Sequence, residues 1–271
     1  MPRRGPLSVS VTKDKLTILT LFAGRWHTRE PFLHALAELD WPKEKIHLLW
    51  YTNALDQFVN CLKMDKTTFE RMGFTVEIVH DRSIPQAYRV FHDGDQRSDE
   101  HLNTIATLYN SAWQYVRTDD VLMLEDDVLA QTHTLKRLTA VMYQDPTAVI
   151  VSGCVFDRHH PGTLFIWDVL EIPVPKNGST SSQFALVPIG MPWGIRRVAC
   201  TGFSCTLIRR SRLAKELQVR YPFRSKNPRR SHRHIGGTDL VFCLQNGWAG
   251  KSVYADFDVR PYHIDAQAKI H

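Results

Sequence analysis

The sequence predicts an α/β fold with a central, mostly parallel sheet flanked by helices. Three observations carry that reading. Short apolar runs rich in leucine and β-branched residues recur along the chain, segments with helical spacing of apolar residues separate them, and glycine, proline or polar breakers stand at the joints.

Leu16 to Phe22 reads as a buried strand that opens into a loop at Gly24. Glu30 to Leu39 has helical spacing and is stopped by Trp41-Pro42. Lys45 to Tyr51 is a second strand, Leu55 to Met72 a helix, and Phe74 to Val79 a third strand. This rhythm implies βαβ units joined by right-handed crossovers, and ligands of such sheets bind at the carboxyl ends of the strands. A polar loop over Asp81 to Asp99 precedes a helix from Glu100 to Val116, whose apolar face is Leu102, Ile105, Ala106, Tyr109, Ala112 and Trp113. Thr118-Asp119-Asp120 then connects to the apolar strand Val121 to Leu124, which runs straight into Glu125-Asp126-Asp127. Farther on we expect a strand over Ala148 to Cys154, a loop over Pro173 to Ser182, and a short strand over Thr206 to Ile208. A helix over Arg212 to Leu217, a helix over Asp239 to Asn246 and a strand over Ser252 to Tyr254 complete the reading.

With 271 residues and 43% hydrophobic content the chain can bury a substantial core. We expect a loose terminus over 1–14 and one domain over 15–265, with a nucleotide-binding half to about 130 and an acceptor-binding half after it. No apolar run is long enough to span a bilayer, and Met1 to Ser10 lacks the apolar segment of a secretory leader, so an unanchored cytoplasmic protein is expected. The five cysteines show no C-x-x-C pair and read as reduced, mostly buried thiols. A net charge of +6 fits acidic partners, whether nucleoside diphosphates or nucleic acid.

Three consecutive carboxylates at a strand end repel one another, and a divalent cation offsets that cost. Oxygen ligands suit Mg²⁺ or Mn²⁺, and such an ion stabilises charge on a departing diphosphate. The plainer alternative is that Asp126 and Asp127 begin a turn before a helix near Thr132.

V-L-M-L-E-D-D-V, preceded by a helix containing Asn110, resembles the D-x-D region of GT-A glycosyltransferases, particularly family 2. The resemblance implies a Rossmann-like GT-A domain, a nucleotide-sugar donor with a UDP-sugar favoured, and Mn²⁺ or Mg²⁺. Carried over residue by residue, it implies donor contacts from Glu125 and Asp126 and metal ligation by Asp127, with Glu125 departing from the usual Asp at the first position. Thr201 to Thr206 is similar to the segment that lines the donor sugar, where Gly202 permits close backbone approach. Gly236-Gly237-Thr238-Asp239 resembles the segment that supplies the base of an inverting transfer, which makes Asp239 the candidate, although Thr238 or Asp239 also suits a helix N-cap. Pro261-Tyr262-His263 looks like the late histidine that completes the metal site. The first strand's exit, with Phe22 and Arg25, is where the family places nucleotide and diphosphate, and Tyr51 or Asn53 would flank the base.

The basic stretch Arg224 to His234 reads as a solvated loop, as a lid whose Lys226, Arg229, Arg230 and Arg233 neutralise phosphate, or as a grip on a polyanionic acceptor such as DNA. Trp26 and Trp50 read as packing residues, and Trp167, Trp193 and Trp248 as core or as an acceptor groove. The sequence does not identify the acceptor; a modified base in DNA and a glycan are the two candidates. A nucleotidyltransferase and a non-catalytic nucleic-acid-binding module on the same fold stand as alternatives.

Overall fold

The computed structural model describes residues 12–84, 99–156, 164–176, 179–190, 193–214, 238–265 and 269–270. The first half runs β1 (Thr12–Phe22), α1 (Trp26–Ala37), β2 (Ile46–Thr52), α2 (Asp56–Arg71), β3 (Thr75–His80), α3 (Asp99–Trp113), β4 (Thr118–Leu124) and β5 (Val128–Leu129). The second half runs α4 (Thr134–Gln144), β6 (Ala148–Gly153), β7 (Ile166–Lys176), β8 (Ser179–Pro188), β9 (Ile195–Val198), β10 (Cys200–Thr201), β11 (Cys205–Arg209), α5 (Thr238–Trp248), β12 (Ser252–Asp256) and β13 (Tyr262–His263).

One 8-stranded sheet, in the order β3-β2-β1-β4-β11-β6-β12-β9, contains strands from both halves. β1 pairs parallel with β2 and β4, β2 with β3, and β6 with β12, whereas β11 is antiparallel to β4 and β6 and β9 is antiparallel to β12. Successive side chains of a strand point to opposite faces, and the central strands bury both. Ile46, Leu48 and Trp50 of β2 and Leu122 and Leu124 of β4 pack with Phe32 and Leu36 of α1, Phe58 and Leu62 of α2, and Leu135 and Leu138 of α4. Their neighbours Leu49, Tyr51, Val121 and Met123 pack on the other face with Tyr109, Ala112 and Trp113 of α3 and Leu240 and Phe242 of α5. Each such buried aliphatic side chain contributes about 1.5–3 kcal/mol relative to exposure.

The main strands and helices lie where the periodicity puts them, with differences that have physical reasons. Within the span expected as a loop over Pro173 to Ser182, the described residues 173–176 and 179–182 are strand: they belong to β7 and β8, where Pro173 pairs with Ser182 and Val174 with Ser181. Cross-strand pairing overrides the breaker character of Pro and Ser. Thr118 to Asp120 belong to β4, because Asp120 lies opposite both Leu16 and Arg209 and its carboxylate takes two hydrogen bonds from Arg209, at 2.7 and 2.6 Å. Arg210–Arg212 is a single 3-10 turn in place of the start of a helix, and the rest of the span expected to 217 lies beyond residue 214, outside the described residues. Arg212 there donates to the carbonyls of Met142, Asp145 and Ala148. The helix expected from Glu30 begins at Trp26, and strand β1 begins at Thr12, inside the terminus read as loose. Trp50 is buried and Trp26, though half exposed, packs its ring edge-on against Phe58 at 5.2 Å, whereas Trp193 and Trp248 are largely exposed and so are not core.

All five cysteines are free, and four of them are buried. Among the described residues no helix is long and apolar enough to cross a membrane.

Candidate metal and donor site

Register aligns the carboxyl ends of the first four strands. Phe22 lies opposite Thr52, Thr52 opposite His80, and Leu19 opposite Met123. The residues that leave these strands, Gly24-Arg25, Asn53, Asp81 and Glu125, therefore share one edge of the sheet. Gly24 has φ +79°, a conformation disfavoured for side-chain-bearing residues, and it turns the chain from β1 into α1.

The acidic triplet is a tight turn, with the Val128 amide donating to the Glu125 carbonyl at 3.1 Å. Its three carboxylates have different surroundings. Asp126, 2% exposed, points inward, where Oδ2 accepts the Ala23 amide at 2.9 Å and Oδ1 lies 3.2 Å from Arg25 Nη1. Burial, together with Asp127, pushes its carboxyl up to about 6, against the lowering effect of Arg25. Asp127, also 2% exposed, receives a hydrogen bond from Arg25 Nη1 and lies 3.4 Å from His263 Nε2. Glu125 accepts the Ser204 hydroxyl at 2.8 Å on Oε2, while its amide donates to the Ser204 carbonyl.

His263 is delivered by a two-stranded sheet in which it pairs with Val128 and Tyr262 pairs with Leu129. The Ile264 amide donates to the Asp127 carbonyl, which locks the two segments together. His263 Nδ1 lies 3.1 Å from the Phe156 carbonyl, a contact that places the proton on Nδ1 and leaves Nε2 as the lone-pair nitrogen. Nε2 is buried, has no hydrogen-bond partner among the described residues, and faces the carboxylates, with Asp127 Oδ2 at 3.4 Å. Burial lowers this imidazole's pKa, but Asp127 more than offsets that and leaves it raised.

One ligand atom each from Glu125, Asp127 and His263 lies within 4.8 Å of the others, so these three residues can hold a metal ion. Two carboxylates and an imidazole nitrogen suit Mn²⁺ or Mg²⁺, and the orphaned Nε2 is the observation that fits the set to a metal.

Gly202 borders the opposite wall. A Cβ built there would lie 3.2 Å from Phe165 Cβ and 3.5 Å from Asp239 Oδ2, so the Gly202 backbone and the Asp239 carboxylate are neighbours. Asp239 stands in the first turn of α5 and accepts the Leu240 amide at 2.9 Å. Phe203 joins the pieces, its ring 5.3 Å from that of Tyr109 on α3 and 5.7 Å from that of Phe242 on α5. The Tyr109 hydroxyl is held well above its ordinary pKa, first by burial and then by the charges of Glu125 and Asp239. Gly202→Ala is expected to cost about 1 kcal/mol through the Phe165 contact, read as a lowered midpoint in urea with an unchanged m-value.

The other sequence candidates are scattered along the same edge. Tyr51 is buried, and its hydroxyl donates to Asp81 at the exit of β3. Asn53 Nδ2 donates to the Ile84 carbonyl, and Asn110 is half-buried on α3 beside Tyr109. The Phe22 side chain is not at the edge: its ring packs in the core against Phe32 and Trp50. Arg230 and Arg233, with the rest of 224–234, lie outside the described residues, as do Gly236 and Gly237. Sequence reasoning missed Ser204, Tyr109 and Asp81. Ser204 is a lone polar residue between Phe203 and Cys205, and Asp81 directly follows a strand, so both carried a weak local signal.

No protein-family model matches the chain, and no curated protein matches it. Among solved structures, GalNAc-T7 with UDP, GalNAc and Mn²⁺ aligns at TM-score 0.53 and 11% identity, covering 92% of this chain and 43% of that one. TarS from S. aureus, residues 1–349, aligns at TM-score 0.48 and 14% identity, over 89% of this chain and 60% of that one. The mannosyltransferase PcManGT from Pyrobaculum calidifontis, in complex with GDP-Man and Mn²⁺, aligns at TM-score 0.39 and 18% identity, over 55% and 39%. The chain thus spans less than two thirds of each of these structures. The first alignment covers nearly the whole chain and shows the fold: it is the GT-A-type α/β fold.

Proposed function

We propose that the chain is a metal-dependent glycosyltransferase that moves a sugar from a nucleotide-diphosphate sugar to an acceptor hydroxyl. The observation that carries this reading is the convergence of Glu125, Asp127 and the buried His263 Nε2 at the carboxyl edge of the sheet. On a GT-A-type fold, that edge is where a nucleotide and its diphosphate lie across the strand ends.

Glu125, Asp127 and His263 would hold Mn²⁺ or Mg²⁺, which when bound neutralises charge developing on the departing diphosphate. Arg25, beside the same carboxylates, adds a second positive group for the diphosphate oxygens. Asp239 accepts the proton of the acceptor hydroxyl, and the hydroxyl oxygen attacks the anomeric carbon from the face opposite the diphosphate, with inversion. The Gly202 backbone, close to Asp239, lines the sugar between them. Tyr51 with Asp81, and Asn53, flank the nucleotide base, for which a UDP-sugar is the favoured donor. The single domain over 15–265 then divides into a donor side to about residue 130 and an acceptor side after it.

For the acceptor, one surface favours a polyanion such as DNA over a neutral glycan. Arg196 and Arg197 are exposed on β9, the outer strand of the sheet, and Arg260 stands 4.5 Å over the ring of Trp193, which is 76% exposed.

The test is hydrolysis of UDP-, GDP- and CMP-sugars by the purified chain with Mn²⁺, with EDTA, and with Asp127→Ala. Release of one nucleotide that needs the metal and fails in the variant supports the reading and names the donor. Absence of both turnover and nucleotide binding would sink it and favour a nucleic-acid-binding module, to be followed by DNA titration at several salt concentrations.

A further inference from the structure

We infer that Arg25 is an internal counter-cation that competes with the metal ion for Asp127, so that ion entry requires the guanidinium to leave. This inference rests on the metal-site reading above and deepens it.

Three features of the geometry support it. Arg25 Nη1 bridges the two buried carboxylates, hydrogen-bonded to Asp127 Oδ2 and 3.2 Å from Asp126 Oδ1. The oxygen it occupies, Asp127 Oδ2, is also the one that faces His263 Nε2 at 3.4 Å. A guanidinium and a divalent ion at that oxygen would repel each other, and both cannot hold it at ligand distance.

The second feature is burial. The Asp126 and Asp127 side chains are each 3% exposed, so their charges need a partner within the protein, and Arg25 supplies it. The third is freedom to move. Arg25 lies between Gly24 and the first residue of α1, its side chain is 34% exposed, and no contact other than these acidic groups holds its guanidinium among the described residues. A long cationic side chain that is one third exposed can turn outward once another cation takes its place on the carboxylates, whereas Asp126 stays compensated in part by the Ala23 amide.

The arrangement has a consequence for binding order. An ion alone must displace Arg25 and leave it without an anion, while an ion arriving with a diphosphate offers the guanidinium a new partner. Ion and donor therefore favour each other's binding through one side chain.

The experiment measures Mn²⁺ binding by electron paramagnetic resonance and by calorimetry on the full chain, comparing wild type with Arg25→Met and Arg25→Lys. Expected is at least tenfold tighter Mn²⁺ binding by Arg25→Met without nucleotide, with Arg25→Lys between the two. The thermal midpoint of Arg25→Met should fall in EDTA and be restored by Mn²⁺ over a larger span than in wild type. Equal or weaker Mn²⁺ affinity in both folded variants overturns the inference while leaving the metal site standing. Mn²⁺ binding by none of the three proteins overturns the metal-site reading and the inference with it.

Discussion

Asp127→Asn is expected to abolish Mn²⁺ binding at micromolar concentrations and to lower donor turnover at least about 10³-fold, or about 4 kcal/mol of transition-state stabilisation. Asp127 is the one member of the triplet that meets both His263 and Arg25. The amide keeps the side chain's shape but loses the charge, and it sets a neutral group against the Arg25 guanidinium. The adjacent Asp126→Asn is the control. Its carboxyl is already pushed up to about 6, and an amide oxygen can still accept the Ala23 N–H, so turnover should fall by about tenfold or less. Titration calorimetry with Mn²⁺ and initial rates of nucleotide release read both. Equal losses at the two positions would mean that the triplet acts only as a turn and that the ion, if any, binds elsewhere.

Asp239→Asn tests the other wall of the site. Removing a positioned general base lowers turnover by about 10²–10⁴-fold, whether the attacking hydroxyl belongs to an acceptor or to water. Asn retains an oxygen for the Leu240 amide, so α5 should keep its first turn and the fold its stability. Mn²⁺ and donor affinities are expected to stay within about twofold, since Asp239 belongs to the Gly202 wall and not to the ligand set. A variant that turns over donor as fast as wild type would remove Asp239 from the chemistry and leave it as a residue of the helix's first turn.

These two positions differ in how they were legible. Asp127 stands at the end of an uninterrupted apolar strand, and a carboxylate triplet after such a strand is unusual enough to mark a site by itself. Asp239 was visible through the Gly-Gly-Thr-Asp segment that opens an apolar helix, a pattern that also fits a cap. His263 had still less local signal, as one of thirteen histidines. Its place follows from the β5–β13 pairing, and each of those strands has 2 residues, too few to show any periodicity. Phe22 was misleading for the same reason in reverse: a residue at the exit of a ligand-facing strand can still send its side chain to the core face, because alternate residues point to opposite sides.

The sequence by itself determined the α/β class, the positions of the main strands and helices, and the acidic turn after β4. Each of these is written locally, in runs and periods of apolar residues and in charges that stand beside one another. Tertiary structure alone decided that Arg25 lies on Asp126 and Asp127, that Ser204 holds Glu125, and that His263 Nε2 comes within 3.4 Å of Asp127. Ala23 and Asp126 are separated by 103 positions, Ser204 and Glu125 by 79. Contacts across such distances depend on strand order and on the antiparallel insertion of β11 beside β4, and these follow from how all the buried faces pack together at once.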